Sequence, residues 1–143
     1  AISENTNIED NSTGENRHAQ TKIRVGQTKF RNKLIKFWNN KCCITNFSKE
    51  MLTASHIKPW RHSNKKEKVD VYNGLLLSPS YNAAFDLNFI SFDDNGKLLI
   101  SSKISSLELA KIGIDPNVKI KGIKDQHKKY LKFHRESLGH KYK

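Results

Sequence analysis

The chain has 143 residues, with 26 Lys and Arg residues against 14 Asp and Glu residues, and a formal net charge of +12. This length suggests one domain that buries enough surface to fold without disulfide or metal staples. No apolar run approaches the ~18 residues of a membrane span, and the N-terminus lacks a secretory signal pattern. We therefore expect a cytoplasmic, basic protein whose partner is a polyanion, nucleic acid before membrane.

The charge is unevenly distributed along the chain. Residues 1–20 carry four acidic residues and one basic residue, a net charge of −3, so the rest of the chain carries +15. Because this start is also poor in apolar residues, we predict a flexible acidic tail or linker over residues 1–22 and a folded domain over residues 23–143. For the basic C-terminal stretch, a binding face and an ordinary solvated surface are equally open.

The first half of the chain predicts one helix and two short strands. Thr28 is placed to cap a helix over residues 29–39, in which Phe30, Leu34, Phe37 and Trp38 follow helical spacing. Short strand-like segments follow at residues 42–45 and 52–57. The polar stretch at residues 58–72 is typical of a long loop.

The second half predicts a strand, a hairpin and three helices. The apolar segment Gly74–Ser78 is typical of a strand, and Pro79 suits the first turn of a short helix that reaches Asp86. Asp94-Asn95-Gly96 predicts a hairpin turn between strands at residues 89–93 and 97–101. Further helices are predicted from Ser105 or Ser106 to Ile112, and from Asp125 to Leu138. The predicted fold class is therefore α+β.

Four polar residues in the middle of the predicted elements are candidates for catalysis or metal binding. His56 ends a strand, Asn73 precedes the next strand, and Asn82 and Asp86 lie one turn apart on the short helix. Oxygen donors spaced in this way can hold a hard cation such as Mg²⁺, and an imidazole opposite them can take a proton from water. Together they are a minimum set for metal-assisted phosphodiester cleavage.

Each of these residues also has an ordinary structural explanation. A single His before Lys-Pro is more often a surface or core residue than a catalytic one, and Asn-Gly before an apolar run is common turn chemistry. An Asn and an Asp on one short helix often just face solvent. Spacing alone leaves both interpretations open.

The segment Gly26–Ile100 resembles an HNH endonuclease domain, of the ββα-metal class found in bacterial restriction enzymes. Several blocks carry the resemblance in the same order as in that family. They are Gly26–Arg31, Cys43–Thr45, Ala54–Trp60, Asn73–Ser78, Phe85-Asp86 and Ile90–Phe92, with Tyr130-Leu131 and His134-Arg135 resembling the closing helix. The resemblance implies a ββα-metal (HNH) core with an N-terminal helix, an additional β-hairpin and C-terminal helices.

The resemblance also implies roles for individual residues. His56 matches the general base, and Asn73 matches the asparagine that ties down the long loop and helps to orient the histidine. Asn82 and Asp86 match metal-ligand positions on the helix. Ser55 occupies the position before the base, where many relatives place an acidic or histidine ligand.

This chain departs from the family at the metal ligands. Ser55 is a poor ligand and Asn82 is neutral, so we expect one weakly held divalent cation, Mg²⁺ before Mn²⁺ or another divalent ion. Cys42 and Cys43 are adjacent and lack the paired CxxC spacing of zinc-stapled relatives, so we predict no structural zinc.

The function implied is a metal-dependent endonuclease that hydrolyses phosphodiester bonds of double-stranded DNA, as the nuclease domain of a bacterial restriction or modification-dependent restriction enzyme. A homodimer and a fused or associated recognition domain upstream are both compatible with it. The alternatives are a catalytically degenerate DNA-binding module on the same fold and an RNA-associated basic protein. Candidate DNA contacts are Lys58, Trp60, Arg61, Lys65 and Lys66. Trp60 is also suited to anchoring the loop on the core.

Overall fold

The computed structural model describes residues 14–137 and 141–142, so the first thirteen residues of the predicted tail lie outside the described part. Within it, the chain is α+β, as predicted, with five helices and two small antiparallel sheets. The helices are α1 (Gly14–Phe37), α2 (Lys65–Lys68), α3 (Pro79–Asp86), α4 (Ser106–Ala110) and α5 (Asp125–Glu136). The strands are β1 (Thr53–His56), β2 (Gly74–Leu77), β3 (Ile90–Phe92) and β4 (Leu98–Ile100). No helix in these residues is long and apolar enough to cross a membrane.

The first helix is longer than predicted. It begins at Gly14 rather than at residue 29, so the boundary proposed at residues 22/23 falls inside it. Thr28 is not its N-cap, because its hydroxyl donates to the carbonyl of Arg24 one turn earlier, at 2.9 Å. That bond is a helix-interior bond. The added turns are polar and largely exposed, so they carry little of the apolar periodicity on which the sequence prediction rested.

The centre of the fold is an antiparallel hairpin followed by a helix. β1 pairs with β2 so that His56 lies opposite Gly74 and Thr53 lies opposite Leu77. α1 packs so closely on this hairpin that a Cβ added to Gly74 would lie 2.5 Å from Phe30. After Ser78, Pro79 occupies the first turn of α3, as its fixed φ favours. The chain order is therefore strand, strand, helix, with the helix packed against β1.

Two connecting segments differ from their predictions. Residues 42–45 form a turn instead of a strand, because the backbone N–H of Asn46 donates to the carbonyl of Cys42 at 3.0 Å and that of Thr45 donates to the Cys42 sulfur. The predicted loop at residues 58–72 contains α2 and two 3-10 turns, Trp60–His62 and Val71–Asn73. A reciprocal capping box between Asn64 and Glu67 starts α2.

The C-terminal half follows the predicted order. β3 and β4 pair around Asp94-Asn95-Gly96, where Gly96 has a φ of +85°. Ser105 caps α4 by accepting from the backbone of Glu108, and the helix ends slightly earlier than predicted. α5 begins at Asp125, as predicted, and is described to Glu136; Leu138, the predicted end, lies outside the described residues. α5 packs on β3 and on the Val71–Asn73 turn, so it joins both hairpins into one body.

Candidate active site

His56 lies at the end of β1 and is almost completely buried, with 3% of its surface exposed. Its ring stacks on Phe30 of α1, with 3.8 Å between centroids and 10° between planes. The edge of Trp60 closes a second side at 5.5 Å. On a third side, Nε2 lies 2.8 Å from the backbone oxygen of Lys68. A carbonyl only accepts, so Nε2 carries the hydrogen and donates it.

That tautomer leaves the lone pair of His56 on Nδ1. This nitrogen is buried and has no hydrogen-bond partner among the described residues. Burial, which disfavours the charged imidazolium, lowers the pKa of His56 from 6.5 to about 4, although the Lys68 carbonyl opposes the shift. At neutral pH the ring is therefore uncharged and able to accept a proton at Nδ1.

Asn73 is fully buried beside this histidine and holds the segment that follows β1. Its Oδ1 accepts from the backbone N–H of Lys58 at 2.8 Å. Its Nδ2 donates to the carbonyl of Glu67 at 3.0 Å and to the hydroxyl of Ser63 at 3.3 Å. One side chain thus fixes three separate points of the segment at residues 58–68. Lys68, which binds His56, is at the end of that segment.

The residues matched to metal-ligand positions lie on β1 and on α3. Ser55 is fully buried, and because strand residues alternate, its side chain points to the face opposite His56. Its Oγ is buried without a partner among the described residues, and so is Oδ1 of Asn82 on α3. Asp86, one turn beyond Asn82, is exposed. In the described part of the chain, no three His, Cys, Asp or Glu side chains form a group that could hold a metal ion.

The five candidate DNA contacts divide into two groups. Arg61, Lys65 and Lys66 are exposed. Lys58 instead pairs with Glu67 at 3.1 Å, and only 9% of Trp60 is exposed. The position of Trp60, packed against His56 with Lys68 Nζ 4.6 Å above its ring, matches the anchoring alternative rather than base stacking.

Several residues that shape this site were not predicted. Phe30 was expected only as a core position of the first helix, and nothing local in the sequence pairs it with His56. Lys68 contacts His56 through its backbone carbonyl, and such a contact cannot be predicted from the residue type. The role of Glu67 in starting α2 could have been predicted, because Asn64 three residues before it completes the pattern of a capping box.

A comparison with protein families finds a similarity over the part of the chain that contains the candidate site. Residues 42–93 match the family model described as HNH endonuclease. The match spans a little over a third of the chain, and it contains β1, β2, α3, β3 and every candidate site residue. No curated protein matches the chain. Residues 42–93 are therefore similar to HNH endonucleases, a family whose description implies nuclease activity.

Proposed function

We propose that this protein is a metal-dependent endonuclease that hydrolyses phosphodiester bonds in double-stranded DNA. One observation carries the proposal beyond the family match. Three of the six buried side-chain polar atoms without a partner in the described residues are Ser55 Oγ, His56 Nδ1 and Asn82 Oδ1. Folded proteins pair nearly all such atoms, so unpaired ones at three matched site positions indicate groups kept for a ligand, an ion or water.

The residues at the matched positions fit a weakly held divalent cation. Hydroxyl and amide oxygens are hard donors of the kind that Mg²⁺ accepts, and neither Ser55 Oγ nor Asn82 Oδ1 has a partner among the described residues. Asp86 supplies the single carboxylate of the set, so the cation would be held mainly by neutral oxygens. Such an ion would stabilise negative charge on the phosphate and on the leaving oxygen.

His56 is the proposed general base, acting through Nδ1. The hydrogen bond from Nε2 to the Lys68 carbonyl holds the ring in the tautomer that leaves Nδ1 free to accept. Asn73 acts as a positioning residue, because it fixes the segment that carries Lys68. Since Nδ1 is buried, water reaches it only when Trp60 or its segment moves, and we propose that DNA binding produces this movement.

The proposed DNA-binding surface is the exposed side of the segment at residues 58–68. Arg61, Lys65 and Lys66 supply positive charge there without an acidic partner in any ion pair between described residues. Such contacts grip phosphates and do not read sequence. We therefore propose that target choice, as in a restriction or modification-dependent enzyme, comes from a dimer partner or an associated recognition domain.

Plasmid nicking tests the proposal. Supercoiled DNA is incubated with the protein and Mg²⁺ or Mn²⁺, with and without chelator, for wild type, His56→Gln and the control His18→Gln, an exposed histidine on α1 outside the proposed DNA-binding surface. We expect chelator to abolish nicking, His56→Gln to lower its rate by about 100-fold or more, and the control to change little. Circular dichroism confirms that each variant is folded. Undiminished nicking by folded His56→Gln would refute the assignment of the base.

Asp86→Asn tests the metal site separately. Removing the only carboxylate of the set should raise the Mg²⁺ concentration needed for half-maximal nicking. The matched control is Asp115→Asn, an exposed carboxylate outside α3. If Asp86→Asn leaves the metal dependence unchanged, the proposed ligand set is wrong.

A second candidate function is a DNA-binding module that no longer cleaves. The burial of His56 and the neutral residues at positions 55 and 82 favour it, because both features weaken catalysis. This candidate predicts salt-sensitive binding to duplex DNA in chelator, and no nicking with any divalent ion. The nicking assay above separates the two candidates.

A further inference from the structure

A second buried histidine contacts the helix that carries two of the proposed metal ligands. His134 on α5 is 4% exposed, and its ring stacks on Phe85 of α3, with 3.9 Å between centroids and 6° between planes. Its Nε2 lies 3.1 Å from the backbone oxygen of Phe85. Because a carbonyl only accepts, Nε2 carries the hydrogen and donates it. His134 therefore holds one residue of α3 by two separate contacts.

The other ring nitrogen of His134 is also occupied. Nδ1 lies 2.7 Å from the hydroxyl of Ser91, which is fully buried on β3 and donates to this nitrogen in the neutral ring. His56 has a similar phenylalanine stack and carbonyl bond, but its Nδ1 has no partner among the described residues. The two histidines are therefore suited to different roles. His56 keeps an atom for a proton, whereas both nitrogens of His134 hold its ring in place.

The carbonyl that His134 binds belongs to the peptide group directly before Asp86. Asp86 is exposed and is the last residue of α3. The last carbonyls of a helix have no partner within the helix, so other groups must bind them if the end is to be well ordered. Here the Phe85 carbonyl accepts from the backbone N–H of Asn88 at 3.1 Å and from His134. Through Ser91, His134 links this end of α3 to β3.

We propose that His134 is a positioning residue for Asp86 and that it acts through the Phe85–Asp86 peptide group. The inference rests on the proposed function, in which Asp86 supplies the carboxylate of the metal site. A carboxylate on a loose helix end has to be ordered when it binds a cation, and this ordering weakens binding. Groups that orient metal ligands commonly contribute about 10- to 100-fold to metal affinity. His134 fixes the backbone of Asp86 before the cation arrives.

Two substitutions of His134 isolate the hydrogen bond to α3. His134→Gln keeps an amide N–H that reaches the Phe85 carbonyl, whereas the side chain of His134→Asn is one methylene shorter and loses this bond. The matched control is Arg135→Gln, because Arg135 binds the Phe92 carbonyl and Asp94, neither of which is on α3. Circular dichroism shows whether each variant folds. If His134→Asn does not, Ser91→Ala replaces it, since that change removes the bond that orients the ring.

The first measurement needs no metal. A hydrogen bond to a carbonyl polarises the whole peptide group, so the backbone ¹⁵N resonance of Asp86 reports the bond from His134. We expect this resonance to move in His134→Asn and to stay near its wild-type position in His134→Gln and Arg135→Gln. Each full-length protein is then titrated with Mn²⁺ in the absence of DNA, and free Mn²⁺ is followed by electron paramagnetic resonance. His134→Asn should bind Mn²⁺ about tenfold more weakly than wild type, and the other two variants should match wild type.

The Asp86→Asn background shows whether the effect passes through Asp86. There, His134→Asn should cost no further Mn²⁺ affinity, because the ligand that it positions is already lost. An equal loss in both backgrounds, an unmoved Asp86 resonance, or equal Mn²⁺ affinities of His134→Asn and Arg135→Gln would overturn the role of His134 alone. If wild type bound no Mn²⁺, the proposed metal site and this role would fail together. No step uses cleavage, so coupling between His134 and Asp86 in a protein that does not nick DNA would refute the nuclease and support the positioning role.

Discussion

At the scale of single residues, His56 links stability to pH. Its pKa is about 4 in the folded protein, lowered by burial, and near 6.5 when the chain unfolds. The unfolded chain therefore binds the proton more readily, and stability falls as protons are added. The stabilisation is complete above pH 6.5, is lost progressively between pH 6.5 and 4, and changes no further below that range. A shift of this size corresponds to about 3 kcal/mol.

Urea unfolding at pH 7.5 and pH 4 measures this effect. Wild type should lose more unfolding free energy over that interval than His56→Gln, which keeps an N–H donor for the Lys68 carbonyl but cannot be protonated. Burial also lowers the pKa of His127, so His56→Gln should still lose some unfolding free energy between pH 7.5 and pH 4. The exposed-histidine variant His62→Gln should behave as wild type. Equal losses for His56→Gln and wild type would contradict the buried environment of this ring.

Some roles of single residues could be predicted from the sequence, but the environments of their side chains could not. Asn73 was expected to tie down the long loop, and its hydrogen bonds to Lys58, Ser63 and Glu67 place it there. The burial of His56 could not be predicted, because it depends on Phe30, 26 positions earlier, and on a backbone carbonyl. Contacts between distant segments leave no trace in local spacing.

At the scale of elements, the contact between α1 and the β1–β2 hairpin decides how His56 is covered. Gly74 pairs with His56, and a Cβ added at Gly74 would lie 2.5 Å from Phe30 and 2.7 Å from Leu34. At such distances the Phe30 ring and the Leu34 side chain must shift. Gly26, within α1, has only an ordinary contact available, 3.8 Å to Trp60 Cη2. The two glycines therefore allow a matched comparison.

Gly74→Ala should destabilise the protein by about 1–3 kcal/mol through overpacking. Gly26→Ala should stabilise it by about 0.5–1 kcal/mol, because alanine is the better helix former. Thermal and urea unfolding of both variants measure the difference. If Gly74→Ala were as stable as Gly26→Ala, α1 would not pack on the hairpin as described.

Element prediction succeeded where local signals were strong. The Asp94-Asn95-Gly96 turn and Pro79 at the start of α3 are both local, and both elements were predicted. The N-terminal half of α1 is polar and exposed, so it has little apolar periodicity to read. The turn around Cys42 is closed by backbone hydrogen bonds from Asn46 to the Cys42 carbonyl and from Cys42 to the Phe47 carbonyl. The strand propensity of residues 42–45 gives no sign of these bonds.

At the scale of the whole molecule, the positive charge and the segment similar to HNH endonucleases have different proposed roles. The segment at residues 42–93 contains the proposed chemistry. Outside it, α1 covers His56 and α5 joins the two hairpins. The His134 ring on α5 stacks on Phe85 at 3.9 Å and bonds to Ser91 at 2.7 Å. The additions to the matched segment therefore complete the core.

The net charge of +12 predicts binding to DNA that weakens steeply with salt, independent of sequence. If Lys65 and Lys66 each contact a phosphate, Lys65→Gln with Lys66→Gln should reduce the slope of log affinity against log salt by about 2. Fluorescence anisotropy of a labelled duplex, between 50 and 200 mM salt (about the range over which such contacts act) and in chelator, measures the slope. The matched control is Lys103→Gln with Lys111→Gln, two exposed lysines near α4. Equal slopes for the two double variants would show that the surface at residues 58–68 does not grip DNA, whatever the outcome of the nicking assay.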